Sequence, residues 1–205
     1  AANGLSHEAA HDALSDVRAT IALARLVKAS NPRLWDFCLK LRSKHAVQAE
    51  LVLGKPLLHV SGMYPAERGC LAVMWPLASH PSNKNELIAW DLAHDPAELA
   101  SLDVATLRQR LFTRSADLPE GVARLPVKSI HANKSPVVIG NLKTLPEATA
   151  ARWGLDMAQG LRHAAWAAAH GAELVGRLGR RRALEHLGPG QRPPPAQAPD
   201  VDDDL

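Results

Sequence analysis

Two histidines and an aspartate near the amino end have the residue types and spacing of a small hydrolytic site. His11 precedes Asp16 by five residues, and His7 lies four residues further upstream. A carboxylate in the early turns of a helix lies near the positive end of the helix dipole, where it stays ionised and can hold a cation. A neutral imidazole beside it can take a proton from water. Asp16 and His11 could therefore serve as a metal ligand and a general base.

These two side chains can meet only if His11 lies in the loop that leads into a helix. Residues five apart within a helix are separated by about 140° around its axis. An apolar stripe predicts a helix from about residue 13 to 28, with Asp12 as N-cap and Asn31-Pro32 as its end. The stripe consists of Leu14, Val17, Ile21 and Leu26. His11 then precedes the helix, and Asp16 lies on its second turn.

Two other interpretations of this stretch stay open. In the first, Asp12 and Asp16 are a helix cap and a solvated surface acid, and the histidines are ordinary loop residues. In the second, His7, His11 and Asp16 bind zinc, although three ligands so close together on a loop and a helix match no strong zinc spacing. A D-x-E pair on an apolar strand upstream of this stretch would favour the hydrolytic interpretation.

The composition is that of a globular protein with a basic body. The chain has 205 residues, of which 46% are apolar, and this is enough to bury one core. The formal charge is +3, but four of the 21 acidic residues lie in the last six positions, so the remainder carries +7. A basic body favours an acidic partner such as nucleic acid.

The cysteine and hydropathy patterns narrow the class of protein further. Cys38 and Cys70 are 32 residues apart without any CxxC pair, which argues against a structural zinc site and a disulfide scaffold. The apolar runs are too short to span a bilayer, so we expect no membrane association and a reduced, cytoplasmic setting. Because the chain starts at Ala1 rather than at methionine, we also expect it to be part of a longer protein.

Helical and strand patterns follow one another along the chain and predict an α+β fold. Turn residues separate the apolar runs, and Asp103 is a candidate helix cap. The predicted elements are a short second helix within 34–41, three antiparallel strands within 55–93, a helix over 95–114 with exposed arginines at 108, 110 and 114, two further strands within 125–141 and an Ala-rich helical segment over 146–182. The Pro-rich, acidic end of the chain is predicted to be a linker.

Basic and aromatic residues alternate between positions 32 and 55. Trp35 and Phe37 lie among the arginines and lysines of this stretch. A single strand of nucleic acid suits such a surface, because phosphates pair with cations and unstacked bases lie on rings. Alternatively, both rings are buried and the lysines are simply solvated. A non-catalytic module that binds single-stranded nucleic acid is therefore a second functional hypothesis.

Several stretches together resemble bacterial exodeoxyribonuclease I. HDALSDVRAT resembles the last motif of those DEDD-type 3′ to 5′ exonucleases that carry a histidine there. PRLWDFCLKLRSKH, KPLLHVSGMYPAERG, PLASHPSNKN and PVKSIHANKSPV are similar, in this order, to the region after the nuclease domain of that family. The resemblance implies that residues 1–31 end a ribonuclease H-like exonuclease domain with its C-terminal helix. Residues 32–182 would form an SH3-like mixed α/β module, and residues 183–205 a linker or truncated tail.

The resemblance implies a processive exodeoxyribonuclease of DNA repair and recombination, which releases 5′-mononucleotides from the 3′ end of single-stranded DNA. Hydrolysis would use two Mg²⁺ ions, with Asp16 as the last metal-binding aspartate and His11 as the general base. The D-x-E pair and the second-motif aspartate of the family would lie upstream of Ala1. One carboxylate cannot assemble two Mg²⁺ ions that each take about six oxygen ligands. We therefore predict that this chain alone is inactive.

The resemblance also assigns DNA contacts and a protein partner. The matching DNA-binding positions are Phe37, Lys44, Lys55, Asn85, Lys128 and Asn133. Lysines neutralise phosphates, and asparagines bond to the DNA without demanding a sequence; alternatively the ring is core, the asparagines serve turns and the lysines are solvated. The implied partner is single-stranded DNA-binding protein, whose acidic, Phe-ending C-terminal peptide would contact Lys55 and Phe37. We expect the protein to be a monomer.

Overall fold

The computed structural model describes residues 13–178, and its centre is a five-stranded antiparallel sheet. The strands are β1 (Leu57–Val60), β2 (Leu71–Ser79), β3 (Glu86–Asp91), β4 (Val127–His131) and β5 (Val137–Ile139), in the spatial order β4-β3-β2-β1-β5. The predicted α+β class and the antiparallel order of the first three strands are confirmed. The predicted Asp12 cap and the linker at the carboxyl end lie outside the described residues.

The sheet is curled, because β4 and β5 follow each other in sequence but stand at its opposite edges. Only residues 132–136 connect them, and this connection begins with a tight turn in which Lys134 N donates to His131 O. Since neighbouring strands lie about 4.8 Å apart, the edges of a flat five-stranded sheet would be about 19 Å apart. The short connection is accommodated because the sheet forms a half-barrel that brings its edges toward each other.

Eight α-helices flank the sheet within the described residues. They are α1 (Ala13–Ser30), α2 (Pro32–Lys40), α3 (Lys44–Glu50), α4 (Ala97–Ser101), α5 (Val104–Phe112), α6 (Glu147–Arg152), α7 (Met157–Ala169) and α8 (Gly171–Leu178). Asn31 Oδ1 accepts a hydrogen bond from Leu34 N and starts α2 directly behind α1. The predicted first and second helices are confirmed, whereas α3 was not predicted.

Two predicted helices are divided by the residues that cap their pieces. Asp103 Oδ1 accepts from the backbone N–H groups of Ala105 and Thr106, so α5 starts at a new N-cap and the segment 95–114 forms two helices. The Ala-rich segment is broken at Gly154, whose φ is +65°, and α7 starts behind the Asp156 cap. A capping residue can therefore end one helix and start another even where the periodic pattern of apolar residues predicts one continuous helix.

Strand alternation gives the sheet two apolar faces. We call the face that packs on α2 and α3 the inner face; its strand residues are Leu57, Ala72, Met74, Leu87, Ala89, Ile130 and Val138, and the helices supply Phe37, Leu41 and Val47. The outer face carries Trp75 and Trp90 and packs on α4, α5, α7 and α8. Helix α3 lies between the two edges, because Glu50 Oε2 accepts from Gly140 N just after β5 at 2.7 Å. It therefore covers the open side of the half-barrel.

One surface expectation differs from the structure. Arg110 was predicted to be exposed, but it is half-buried, pairs with Glu98 at 2.7 Å and donates to the Ala123 carbonyl. The apolar stripe of α1 predicted the helix, and no residue of this helix is buried among residues 13–178, where Leu14 and Val17 are more than half exposed. Within residues 13–178, no helix is long and apolar enough to cross a bilayer.

The connection between β1 and β2 is held against α6 by a contact that only glycine permits. Gly69 has a φ of +61°, which side-chain-bearing residues rarely adopt. A Cβ atom added there would lie 2.9 Å from Cδ2 of the Trp153 ring. The indole therefore rests directly on the backbone of this connection and fixes its course.

Replacement of Gly69 by alanine should lower the free energy of unfolding by about 1–3 kcal/mol, because it combines left-handed strain with overpacking. The measurement is urea denaturation of the wild type, Gly69→Ala and Gly62→Ala. Gly62 lies in the same connection, and a Cβ there meets nothing within 4 Å. Equal midpoints for the two variants would show that the indole contact does not constrain this connection.

Candidate nucleic-acid interface

A cleft of about 260 Å³ opens where α3 meets the start of β3 and the end of β4. We call it the α3 cleft, and its lining residues are Gln48, Leu51, Leu53, Ser79, Lys84, Asn85, Glu86, Leu87 and Ala132. The position of the α3 cleft depends on α3, β3 and β4, which form it, and on β1 and β2, which hold β3 in place. Four of its lining residues, Ser79, Lys84, Asn85 and Ala132, lie in stretches that resembled the family.

The turn between β2 and β3 is organised by His80 and Asn83. His80 Nδ1 accepts from the backbone N–H groups of Ser82 and Asn83 at 3.3 and 3.1 Å. Asn83 Oδ1 accepts from Asn85 N, and its Nδ2 donates to Glu86 Oε2, both at 3.1 Å. The residues that satisfy the turn backbone are therefore His80 and Asn83, and the Asn85 side chain is left for another role.

Asn85 and Asn133 come together at this end of the sheet. The backbone carbonyl of Asn85 accepts from Ala132 N at 2.8 Å, and exposed Asn133 directly follows Ala132. Asn85 Oδ1 is buried and has no hydrogen-bond partner among residues 13–178. A buried acceptor without a partner costs about 1–3 kcal/mol. The described fold therefore leaves this acceptor unsatisfied in the wall of the α3 cleft.

One lysine lines the α3 cleft, and a second lies on the helix that forms one of its walls. Lys44 is the first residue of α3 and lies on the same helix face as Gln48, four residues later. Lys84 lines the cleft itself, and both lysines are exposed. Sequence reasoning did not single out Lys84, although its position between two asparagines was a usable signal. The cleft therefore presents the Lys84 cation beside the Asn85 amide, with the buried Glu86 carboxylate also in its wall.

Lys128 extends the same surface along the inner face. It pairs with Ala89 of the inner face and precedes Ala132 by four residues, which is about 13 Å along a strand. Its Nζ lies over the Tyr64 ring, 5.9 Å from the ring centre. Tyr64 OH and His59 Nδ1 form a 2.7 Å hydrogen bond, with the two rings perpendicular. A second polar cluster thus adjoins the cleft on one continuous face.

Burial sets the protonation of this cluster. Burial, with a smaller effect from the Lys128 charge, lowers the pKa of His59 to about 4, so the imidazole is neutral at pH 7. Burial and the Asp91 carboxylate raise the pKa of Tyr64 above its ordinary value, although Arg68 opposes this. Arg68 and Asp91 bond to each other at 3.0 and 3.4 Å. Lys128 forms no ion pair with any residue of the described part, so its charge is left for a ligand.

Phe37 and Lys55 lie beside this surface. Phe37 is half-buried on α2 and packs against the inner-face cluster, so its ring is largely part of the core. Lys55 is exposed in the turn before β1, two residues after the cleft residue Leu53. Among the predicted DNA-binding residues, Asn85 lines the α3 cleft and Asn133 follows its lining residue Ala132. Lys44 lies one helical turn before the lining residue Gln48, and Lys128 lies four residues before Ala132.

The predicted hydrolytic pair lies at the limit of the described residues. Asp16 is in the first turn of α1 rather than the second, and His11 lies outside residues 13–178. Among the described residues, no group of three or more His, Cys, Asp or Glu side chains could hold a metal ion. A single aspartate does not fit a two-magnesium centre, in which each ion takes about six oxygens.

Tyr64, His59 and Gln48 were missed as candidate site residues. Tyr64 and Lys128 are 64 positions apart, and they meet only because β1, β2, β3 and β4 pair in that order. Gln48 reaches the cleft because α3 covers the open side of the half-barrel. No local pattern in the sequence reports either arrangement.

The family described as the Exonuclease I SH3-like domain matches residues 42–179. The chain is 47% identical over 157 residues to exodeoxyribonuclease I of Escherichia coli K12, which covers 76% of this chain and 33% of that protein. Its fold is similar to that of E. coli exonuclease I in complex with a 5cy-dT13 oligonucleotide, with a TM-score of 0.80, 39% identity and coverage of 91% of this chain and 39% of the other.

A zinc-bound form of the E. coli exonuclease I complex with single-stranded DNA is similar as well, with a TM-score of 0.77 and 42% identity. The aligned part covers 83% of this chain and 37% of that one. The chain spans about a third of the length of the curated relatives it matches.

Proposed function

The chain belongs to the exonuclease I family through its SH3-like domain, and on that premise we propose that it is the DNA-holding part of a single-strand-specific 3′ to 5′ exodeoxyribonuclease. One observation carries this proposal: the α3 cleft is lined by exposed Lys84 and by Asn85, and Ala132, which precedes exposed Asn133, lines it as well. That the similar E. coli protein was solved with an oligonucleotide supports the same ligand class.

The residue types at and beside the cleft suit a strand that must move through the protein. Lysines attract phosphates whatever the base sequence, and this allows a bound strand to slide. Asparagine amides can bond to the sugar-phosphate backbone or to base edges without selecting one base. Lys44 and Lys128 would hold the phosphates, and Asn85 and Asn133 would fix the path of the strand past the cleft.

The proposed hydrolysis would need a protein of the relatives' full length, of which this chain spans about a third. We assign residues 1–31 to the end of the exonuclease domain, residues 32–182 to the SH3-like DNA-binding domain and residues 183–205 to a linker. In that arrangement Asp16 would contribute one ligand to a divalent-metal site and His11 would be the general base. The whole protein would release 5′-mononucleotides processively with Mg²⁺, as a cytoplasmic, monomeric enzyme of DNA repair and recombination.

The purified 205-residue chain should show no Mg²⁺-dependent nuclease activity, because it supplies too few carboxylates for two metal ions. The measurement is release of nucleotides from 3′-labelled single-stranded DNA with and without Mg²⁺. Turnover that persists through purification and is abolished by Asp16→Asn would contradict the prediction. Binding without turnover would agree with it.

The chain should bind an unstructured oligonucleotide with an affinity that falls steeply with salt. Lys44→Met should reduce the slope of log K against log salt concentration by about 0.7, the value for one phosphate contact on a single strand, and weaken binding several-fold. Fluorescence anisotropy with labelled oligothymidylate at four salt concentrations measures both quantities.

Lys143→Met is the matched control for Lys44→Met. Lys143 is also exposed, but it does not line the α3 cleft, and its neighbour Leu142 packs with the outer-face cluster. The control should bind DNA like the wild type. An equal loss in both variants would mean that binding depends on net charge and not on the position of Lys44.

The acidic, Phe-ending tail of single-stranded DNA-binding protein is the proposed protein partner. Lys55 offers an exposed cation for its carboxylates, close to the cleft residue Leu53. Lys55→Glu should weaken binding of the isolated peptide by about tenfold or more, because it replaces attraction by repulsion. Isothermal titration with Lys143→Glu as control measures this effect. Unchanged affinity in Lys55→Glu would remove Lys55 from the contact.

A further inference from the structure

The ammonium group of Lys128 lies over an aromatic ring and forms no ion pair with a carboxylate of residues 13–178. Its Nζ is 5.9 Å from the centre of the Tyr64 ring, within the range of a cation–π interaction. A lysine on its own is a flexible four-carbon stem with many rotamers. A ring that restricts those rotamers keeps the charge in one place on the inner face.

The ring itself is fixed from several sides. Tyr64 is only 5% exposed, and its hydroxyl is bonded to His59, which is 7% exposed on β1. Tyr64 N donates to the Ser61 carbonyl, and Ser61 N donates to the Cys70 carbonyl at 2.8 Å, which closes the connection between β1 and β2. The aromatic platform under Lys128 is therefore part of the rigid fold rather than a mobile side chain.

Asp91, whose charge acts on Tyr64, is already paired with a guanidinium. Asp91 lies close enough to Tyr64 to influence its pKa, but its two carboxylate oxygens bond to the Arg68 guanidinium. A carboxylate beside Lys128 would compete with an incoming phosphate, whereas a neutral ring holds the ammonium without neutralising it. The cluster thus keeps one cation ordered and still charged.

We propose that Tyr64, held by His59, is a positioning residue that places the Lys128 ammonium for a backbone phosphate of the unpaired strand. The identity of the ligand rests on the proposed function, whereas the placement of the lysine rests only on the contacts above. The aromatic ring is the part that matters for Lys128, and the hydroxyl matters only through its bond to His59.

A double-mutant cycle on the full 205-residue chain tests this role. Lys128→Met should lower the salt slope of oligothymidylate binding by about 0.7. Tyr64→Leu should weaken binding about two- to fivefold, the worth of an exposed cation–π contact, and should have no further effect in the Lys128→Met background. Tyr64→Phe, which keeps the ring, should bind like the wild type. Additive losses, or an equal loss in Tyr64→Phe and Tyr64→Leu, would overturn the proposal.

A measurement without DNA separates the positioning role from the ligand. The ring current of Tyr64 should shift the Lys128 ε-methylene protons upfield of those of the exposed lysines in the NMR spectrum. The shift should persist in Tyr64→Phe, and thermal melts identify whether Tyr64→Leu is folded. Absence of the shift in the wild type and in Tyr64→Phe would overturn the positioning role. A normal shift in a chain that fails to bind oligothymidylate would instead overturn the proposed function.

Discussion

The short connection between β4 and β5 is the constraint on which the rest of this structure depends. Two strands at opposite edges of a sheet are joined by residues 132–136, so the sheet must curl. The curl creates an inner face with small residues such as Ala72 and Ala89 at its centre, and α3 covers its open side. Without the curl, Gln48 and Ala132 would not meet, and there would be no α3 cleft.

The polar residues of the half-barrel divide into those that stabilise the fold and those proposed to contact a ligand. His80 and Asn83 satisfy the backbone of the β2–β3 turn, and Arg68 and Asp91 satisfy each other. Lys44 and Lys128 have exposed or half-buried charges without an ion pair inside the described part of the chain. This division is the physical reason for proposing that Lys44 and Lys128 serve a ligand.

Local chemistry was readable from the sequence, and long-range geometry was not. The Asn31-Pro32 boundary, the Asp103 cap and the turn at His80 depend on interactions within three or four residues, so their patterns predicted the structure correctly. Arg110 was misjudged because its partner, Glu98, lies on a separate helix that was not expected.

In the candidate site, too, individual residues were predictable from the sequence, whereas contacts between distant strands were not. The resemblance identified Lys128 and Asn85, but only the strand order places Tyr64 beneath the lysine. The apolar stripe of α1 was recognised correctly as a pattern, yet periodicity alone does not say what covers it, and no residue of this helix is buried among residues 13–178.

The pairing of β1 with β5 has a consequence for the order of folding. Leu58 and Ile139 are partners 81 positions apart, so this ladder must close a far longer chain segment than the β1–β2 hairpin. Until β5 arrives, the free hydrogen-bonding groups of β1 form an open edge that another chain can occupy. During synthesis this half-barrel is therefore most vulnerable to aggregation in the interval before residues 137–139 emerge.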